Sequence, residues 1–326
     1  MKENHSIVNS NNEDADIDEL RKILGGKKCA GRNDGMKRID AGRTITYMSE
    51  DNDPVIYVEN GDTITVEMQD CFAGKIRKKN ELLKALPWNS INPATGPVYV
   101  KGAEPGDILK ISILDIQIGD RAVILCEATD FNRYHFQISE KSMFVDIIND
   151  EAVISDKIKI KVRPMIGVIG TAPETGSVLT TLPGIHGGNM DNTHITTGST
   201  LYLPVFHEGA LLSLGDMHAL MGDGEPTGSG LEISGRAIIK VDVVKNEFMP
   251  LPLLETESFV ETIASAKSLD EASVLAVENM LTYLNKNMGI DKGETWKLVA
   301  ACGNVGICQF ANAMKTARCC IPKTCL

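Results

Sequence analysis

The sequence predicts a β-rich core of sandwich or jelly-roll type, and three observations carry that expectation. From Thr44 onward, short β-branched runs alternate with turn residues. Helical periodicity emerges only after Ser268. Aromatic residues make up 5% of the chain against 29 glycines and 13 prolines, a balance that suits tight turns around a core of Ile, Val and Leu. At 326 residues the chain is longer than one core readily fills, so two or three packed layers or lobes are expected.

The first strands fall at residues 44–47, 55–58 and 63–67. Glu59-Asn60-Gly61-Asp62 lies between the last two, and Asn-Gly between strand-like runs predicts a hairpin. Further strands are expected at 98–100 and 108–118, where apolar and polar residues alternate as one buried face requires. The same grammar continues at 122–126, 158–162, 165–169, 200–205, 210–214 and 231–244. Helices come late. Ser268-Leu269-Asp270-Glu271 reads as a capping box, followed by apolar residues near a helical period up to Gly289. A second helix fits 294–302. Before Thr44, a short helix at 16–24 would stand in an otherwise disordered polar segment.

Lys and Arg total 33 against 44 Asp and Glu, so the net charge is −11 and a phosphate backbone would be repelled. The densest basic stretch, Lys75 to Lys79, reads as a solvated face. No window is apolar enough for a membrane span, and the Asn- and Asp-rich start has no secretion-signal core, so a cytoplasmic location is expected. The 8 cysteines include no CxxC pair, and the ending Lys-Thr-Cys-Leu lacks the prenylation spacing, which leaves free thiols as the expectation.

Several catalytic signatures are missing: the GxSxG elbow, the P-loop, GxGxxG and HExxH. The chemistry concentrates instead between Pro183 and Glu232. Asp216 and His218, two residues apart, would leave one face of a strand and supply half of a metal site. The Gly222-Asp223-Gly224 bend would bring Glu225 back toward the same place. The plainer reading is a surface salt bridge beside a glycine turn. Cys126-Glu127 has no flanking lysine motif to support a nucleophilic role, and His5, His135 and His207 carry no pattern.

Together these segments resemble the acetamidase/formamidase family of amide hydrolases. The resemblance rests on Asn92-Pro93-Ala94-Thr95-Gly96-Pro97, Gly102-Ala103-Glu104-Pro105-Gly106-Asp107, His186-Gly187-Gly188-Asn189-Met190-Asp191, Tyr202-Leu203-Pro204-Val205 and Gly215-Asp216-Met217-His218 through Glu225. It runs from about Thr44 to Pro322. It implies a jelly-roll-like component with a smaller α/β C-terminal part, assembled as a homodimer or larger homo-oligomer. The expected segments are a polar extension (1–40), a β-rich lobe (41–165), a β-rich segment with the site (166–250) and the α/β part (251–326).

The resemblance also implies hydrolysis of a small linear amide, a small-molecule substrate, with a divalent metal. Zinc is expected, with calcium as the alternative for an oxygen-rich ligand set. His218, Asp216 and Asp191 are the expected ligands, with Asp70 a weaker one. Glu225 is the expected general base, with Asp223 second. Gly187 and Gly188 would offer amides to an oxyanion, while Asn92, Thr95, His186 and Asn189 would contact substrate. Met221, the N-terminal extension and the cysteine-rich tail depart from the family pattern. Two other readings stay open: a binding protein with a structural metal, and a metal hydrolase acting on a cyclic amide.

Overall fold

The computed structural model describes residues 37–81, 90–126 and 139–326. The helix expected at 16–24, the rest of the N-terminal extension, His5, Glu127 and His135 lie outside the described residues.

Strands are numbered in chain order. A nine-stranded sheet begins with β1 (Lys37–Ile39), β5 (Thr63–Met68), β18 (Gly235–Val244), β7 (Ile108–Ile118) and β16 (Thr200–Pro204). It continues through β19 (Leu253–Glu255), β20 (Phe259–Ala266), β22 (Lys315–Pro322) and β21 (Asn304–Gln309). A seven-stranded sheet runs β14 (Pro183–Gly184), β15 (Gly187–Asn189), β12 (Met165–Gly170), β17 (Leu212–His218), β6 (Ala94–Val100) and β2 (Thr44–Ile45), with β4 (Ile56–Val58) also paired to β6. A four-stranded sheet comprises β11 (Lys159–Lys161), β10 (Glu151–Val153), β9 (Ser142–Ile148) and β8 (Arg121–Leu125). A small pair joins β13 (Ser177–Leu179) to β3 (Tyr47–Ser49).

The two large sheets share one core. Ile64, Leu109, Ile111, Leu201 and Ile239 of the first meet Val98, Ile166, Ile169, Leu212 and Leu214 of the second in a single buried cluster. The alternation of β18, in which every second residue from Gly235 to Val241 is buried, is what one core face demands. β12 and β17 are buried at every position, so the middle of the second sheet is covered on both faces. Functional side chains placed there are shielded from bulk water.

The expected hairpin does not form. β4 pairs in parallel with β6, whereas β5 pairs with β1 and β18 in the other sheet. A tight Asn-Gly hairpin turn needs positive φ at both central residues. Gly61 has it, at +91°, but Asn60 does not. The turn is instead pinned to β18: Gly61 N donates to Val241 O at 2.8 Å, and Val243 N donates to Asn60 Oδ1 at 2.9 Å. It is therefore a crossing between sheets.

Helix α1 (Leu269–Thr282) starts at its expected cap, where Ser268 Oγ accepts from Glu271 N at 3.2 Å. Its Ala276 and Met280 pack with Leu284 on Ala264, Cys319 and Ile321 of β20 and β22. The run ends in a wide turn over Tyr283–Asn287, and Gly289 follows at φ +70°. α2 (Lys292–Cys302) begins two residues before the expected start because Asp291 caps it, accepting from Gly293 N and Glu294 N. Among the described residues no helix is long and apolar enough to cross a membrane.

Candidate metal and active site

β17 carries Asp216 and His218, both buried, and Asp216 Oδ1 lies 3.7 Å from His218 Nε2. Asp191 lies two residues past the end of β15, and Glu225 sits in a turn closed by Glu225 N to Gly222 O at 3.2 Å. Glu232 arrives on the extended chain before β18, bridged to both His218 and Val123. Donor atoms of Asp191, His218 and Glu225 fall within 4.8 Å of one another, as do those of Cys71, Asp216 and Glu232.

The local backbone is shaped for this convergence. Asn92, Asp191, Asp216 and Glu225 have φ of +51°, +47°, +55° and +48°. This left-handed region costs an L-residue roughly 1–2 kcal/mol. Such residues concentrate at functional sites, where surrounding structure enforces them. Gly167 of β12 leaves the space the carboxylates occupy. A Cβ there would lie 2.5 Å from Asp191 Oδ1 and 2.9 Å from Asp216 Oδ2.

Amides line the carboxylates. Asn92 Nδ2 donates to Asp216 Oδ2 at 2.9 Å, and Asn312 Nδ2 donates to Asp191 Oδ2 at 3.3 Å. In the orientation that satisfies its neighbours, Asn189 Nδ2 donates to Asp191 Oδ2 and Asp216 Oδ2, both at 3.1 Å. Glu232 Oε1 accepts from Gly230 N at 2.8 Å and from Ser229 Oγ at 3.2 Å, and stands 3.0 Å from His218 Nε2.

The electrostatics are unbalanced. Burial pushes Asp191 up to about 6, reinforced by the Glu232 charge and opposed by His218. Burial and the neighbouring carboxylates push Asp216 and Glu225 well above the usual carboxylate range. Burial opposes charge on His218, but Glu232 and Asp216 outweigh it and raise its pKa. Asp216 Oδ1, Glu232 Oε2 and both His218 nitrogens are buried without an aligned hydrogen-bond partner. Four carboxylates facing one imidazole, with unpaired donor atoms turned inward, are groups that proteins normally pair or place on a metal. The donor set therefore fits a divalent cation.

A cavity of about 70 Å³ opens on this cluster, with room for only a few non-hydrogen atoms. Phe72, Ile91, Leu125 and Ala311 supply its apolar lining, while Asn92, Asn189, Asn312, Asp216, Glu225 and Glu232 supply its polar lining.

The sequence matches the acetamidase/formamidase family over residues 45–179 and 176–306. The chain belongs to that family. An acetamidase from Bacillus halodurans is 40% identical, with a TM-score of 0.84 over 87% of this chain and 97% of that one. An acetamidase/formamidase from Thermoanaerobacter tengcongensis is also 40% identical, with a TM-score of 0.84 over 89% of this chain and 96% of that one. A formamidase from Methylophilus methylotrophus is 25% identical in an alignment that covers 59% of this chain and 62% of that formamidase. The chain thus spans under two thirds of that relative's length.

In this member of the acetamidase/formamidase family, the fold brings Asp191, Asp216, His218, Glu225, Asn92 and Asn189 together. Asp70 is placed differently. Its Oδ1 caps a turn, accepting from Phe72 N at 2.9 Å and Gly74 N at 3.0 Å, and its neighbour Cys71 enters the cluster instead. Asp223 is half-exposed and tied to Thr193 and Arg318. Burial opposes its charge, but the Arg318 and Thr193 hydrogen bonds outweigh this and hold its carboxyl below the usual range. Thr95 Oγ1 donates to Glu67 O at 2.7 Å, a contact within the framework. Gly187 and Gly188 lie inside the sheet, each paired on both sides by β12 and β14.

Glu232, Cys71 and Asn312 stand in no motif of the sequence. An acidic residue inside the apolar run Leu231-Glu232-Ile233 is the one local signal for Glu232.

His186 is buried, its Nε2 has no hydrogen-bond partner, and burial lowers its pKa from 6.5 to about 4. The unfolded chain therefore binds more protons between those values. The stabilisation is complete above about pH 6.5 and is lost as pH falls toward 4, about 3 kcal/mol in all. Urea midpoints of the wild type should fall more steeply over this window than those of His186→Gln. Comparing the two isolates His186 from the raised carboxylates, whose contribution has the opposite sign. Parallel slopes would contradict the assignment.

Proposed function

We propose that this chain hydrolyses a small linear amide of the formamide or acetamide class to a carboxylate and ammonia. One observation carries the reading: a buried cluster of four carboxylates and an imidazole, with unpaired donor atoms, meets a cavity of about 70 Å³ that Asp216, Glu225 and Glu232 line. His218, Asp191 and Asp216 would hold a divalent cation; Glu225 lies within reach of the first two, and Glu232 and Cys71 lie within reach of Asp216. The His218 nitrogen and the nearby Cys71 sulfur favour zinc over calcium, which takes oxygen ligands. The chemistry that zinc supplies when bound is Lewis acidity toward a carbonyl oxygen and acidification of water to a pKa of about 7.

The protein's own groups do the rest. Glu225 takes the proton of the attacking water as the new C–O bond forms and delivers it to the departing nitrogen as the C–N bond breaks. Glu232 orients the His218 ring, the role second-layer carboxylates play for liganding imidazoles. The side-chain amides of Asn92, Asn189 and Asn312 face the cavity and orient the substrate amide. Phe72, Ile91, Leu125 and Ala311 exclude bulk water and leave little space for a long acyl chain.

Ammonia release from formamide and acetamide should stop on chelation and return when Zn²⁺ is restored. Silence on both amides from zinc-loaded, folded protein would overturn the reading.

A further inference from the structure

We propose that Arg318, behind the carboxylate cluster, is a positioning residue that holds the two turns presenting Asp191 and Glu225. The inference deepens the amidase reading and rests on it only for its effect on metal and turnover. Arg318 lies on β22, beyond the last residue of the family match at 306, and is 5% exposed. Its Nη1 donates to Asn192 Oδ1 at 3.1 Å, and its Nη2 donates to Asp223 Oδ2. Its Nε stands 3.7 Å from Glu261 Oε2 on β20.

These acceptors are the flanks of the site. Asn192 follows Asp191, and Asp223 precedes Glu225 by two residues. Each residue from 192 to 194 is fastened to one of the two carboxylates that face Arg318. Asn192 Nδ2 donates to Glu261, Thr193 Oγ1 donates to Asp223 Oδ1 at 2.6 Å, and His194 Nδ1 lies 2.7 Å from Glu261 Oε2. On the other turn, Gly224 N donates to Cys308 O at 3.0 Å, and Phe310 N donates to Gly224 O at 3.1 Å. Gly306 opposite Arg318 admits the guanidinium, since a Cβ there would lie 3.0 Å from Nε.

A planar fork holds acceptors on separate segments in one fixed geometry, which the rotatable ammonium of lysine on its flexible stem does not impose. Buried ion pairs add little net stability and are better understood as fixing one arrangement. Here the arrangement fixed is two turns whose central acids adopt left-handed backbone and would relax if released.

The test uses full-length Arg318→Lys, with Asp223→Asn as the milder variant should the first fail to fold. Backbone hydrogen exchange in metal-free protein should quicken at least tenfold at residues 191–194 and 222–225 while β7 and β18 keep wild-type rates. Zn²⁺ affinity, read by chelator competition, should weaken by about 10–100-fold, the range for groups that orient metal ligands. Local exchange unchanged in a folded variant, or raised uniformly across the protein, would overturn the proposal. Wild-type protein that neither binds Zn²⁺ nor releases ammonia, with the local exchange effect intact, would defeat the amidase reading and leave the positioning role standing.

Discussion

His218→Ala is expected to lose bound zinc and amide turnover together. The imidazole is the one nitrogen donor in the cluster, and it faces Glu232 at 3.0 Å and Asp216 at 3.7 Å. On the proposed reading, removing it deletes a ligand and also, among the described residues of the cluster, the one cationic side chain facing four buried carboxylates, which then favour their protonated, non-liganding forms. Zinc affinity should fall by more than ~100-fold, past the range seen when outer groups are removed. Loss of several kcal/mol of carbonyl polarisation corresponds to ~10³-fold or more in rate. Zinc content after dialysis and ammonia release would both be measured on folded protein. A second signature is thermal: zinc should raise the wild-type midpoint and leave that of the variant where it was. Stoichiometric zinc with turnover within tenfold of wild type would remove His218 from the site.

Glu225→Gln should separate what His218→Ala joins. The amide has nearly the shape of the carboxylate it replaces but cannot carry a proton between water and the leaving nitrogen. Glu225 lines the cavity, and its donor atom lies within 4.8 Å of those of Asp191 and His218, so it is placed for that transfer. Turnover should drop by roughly 10²–10⁴-fold, the usual contribution of a positioned general base, while zinc stays bound. Zinc lost from the Gln variant would instead move Glu225 into the ligand set with Asp191 and His218.

Much of the fold was legible because alternation and β-branched runs report directly on strands. β5, β7, β16 and β18 lie close to where the sequence places them, and the Ser268 cap starts α1 as read. Pairing was not legible. The Asn60-Gly61 turn has hairpin composition, but its backbone is claimed by β18, a strand about 180 residues away in sequence. The site divides along the same line. Asp216 and His218 were found because two residues of spacing on a strand is a local signal. Cys71, Glu232 and Asn312 come from a turn, an extended connection and a strand–strand loop, and meet the others only through tertiary structure. Asp70 shows the converse: its chemistry suited a ligand, but a two-residue turn claims its carboxylate.

The left-handed backbone at Asn92, Asp191, Asp216 and Glu225 bears on how this chain can be engineered. At each of these four positions, glycine would relieve the local conformation, and a search guided by stability alone would drift toward it. Only a carboxylate or an amide keeps the chemistry. Robustness and activity therefore make opposite demands on the same few codons, and a thermostabilised library screened for folding rather than turnover would enrich inactive sequences there first.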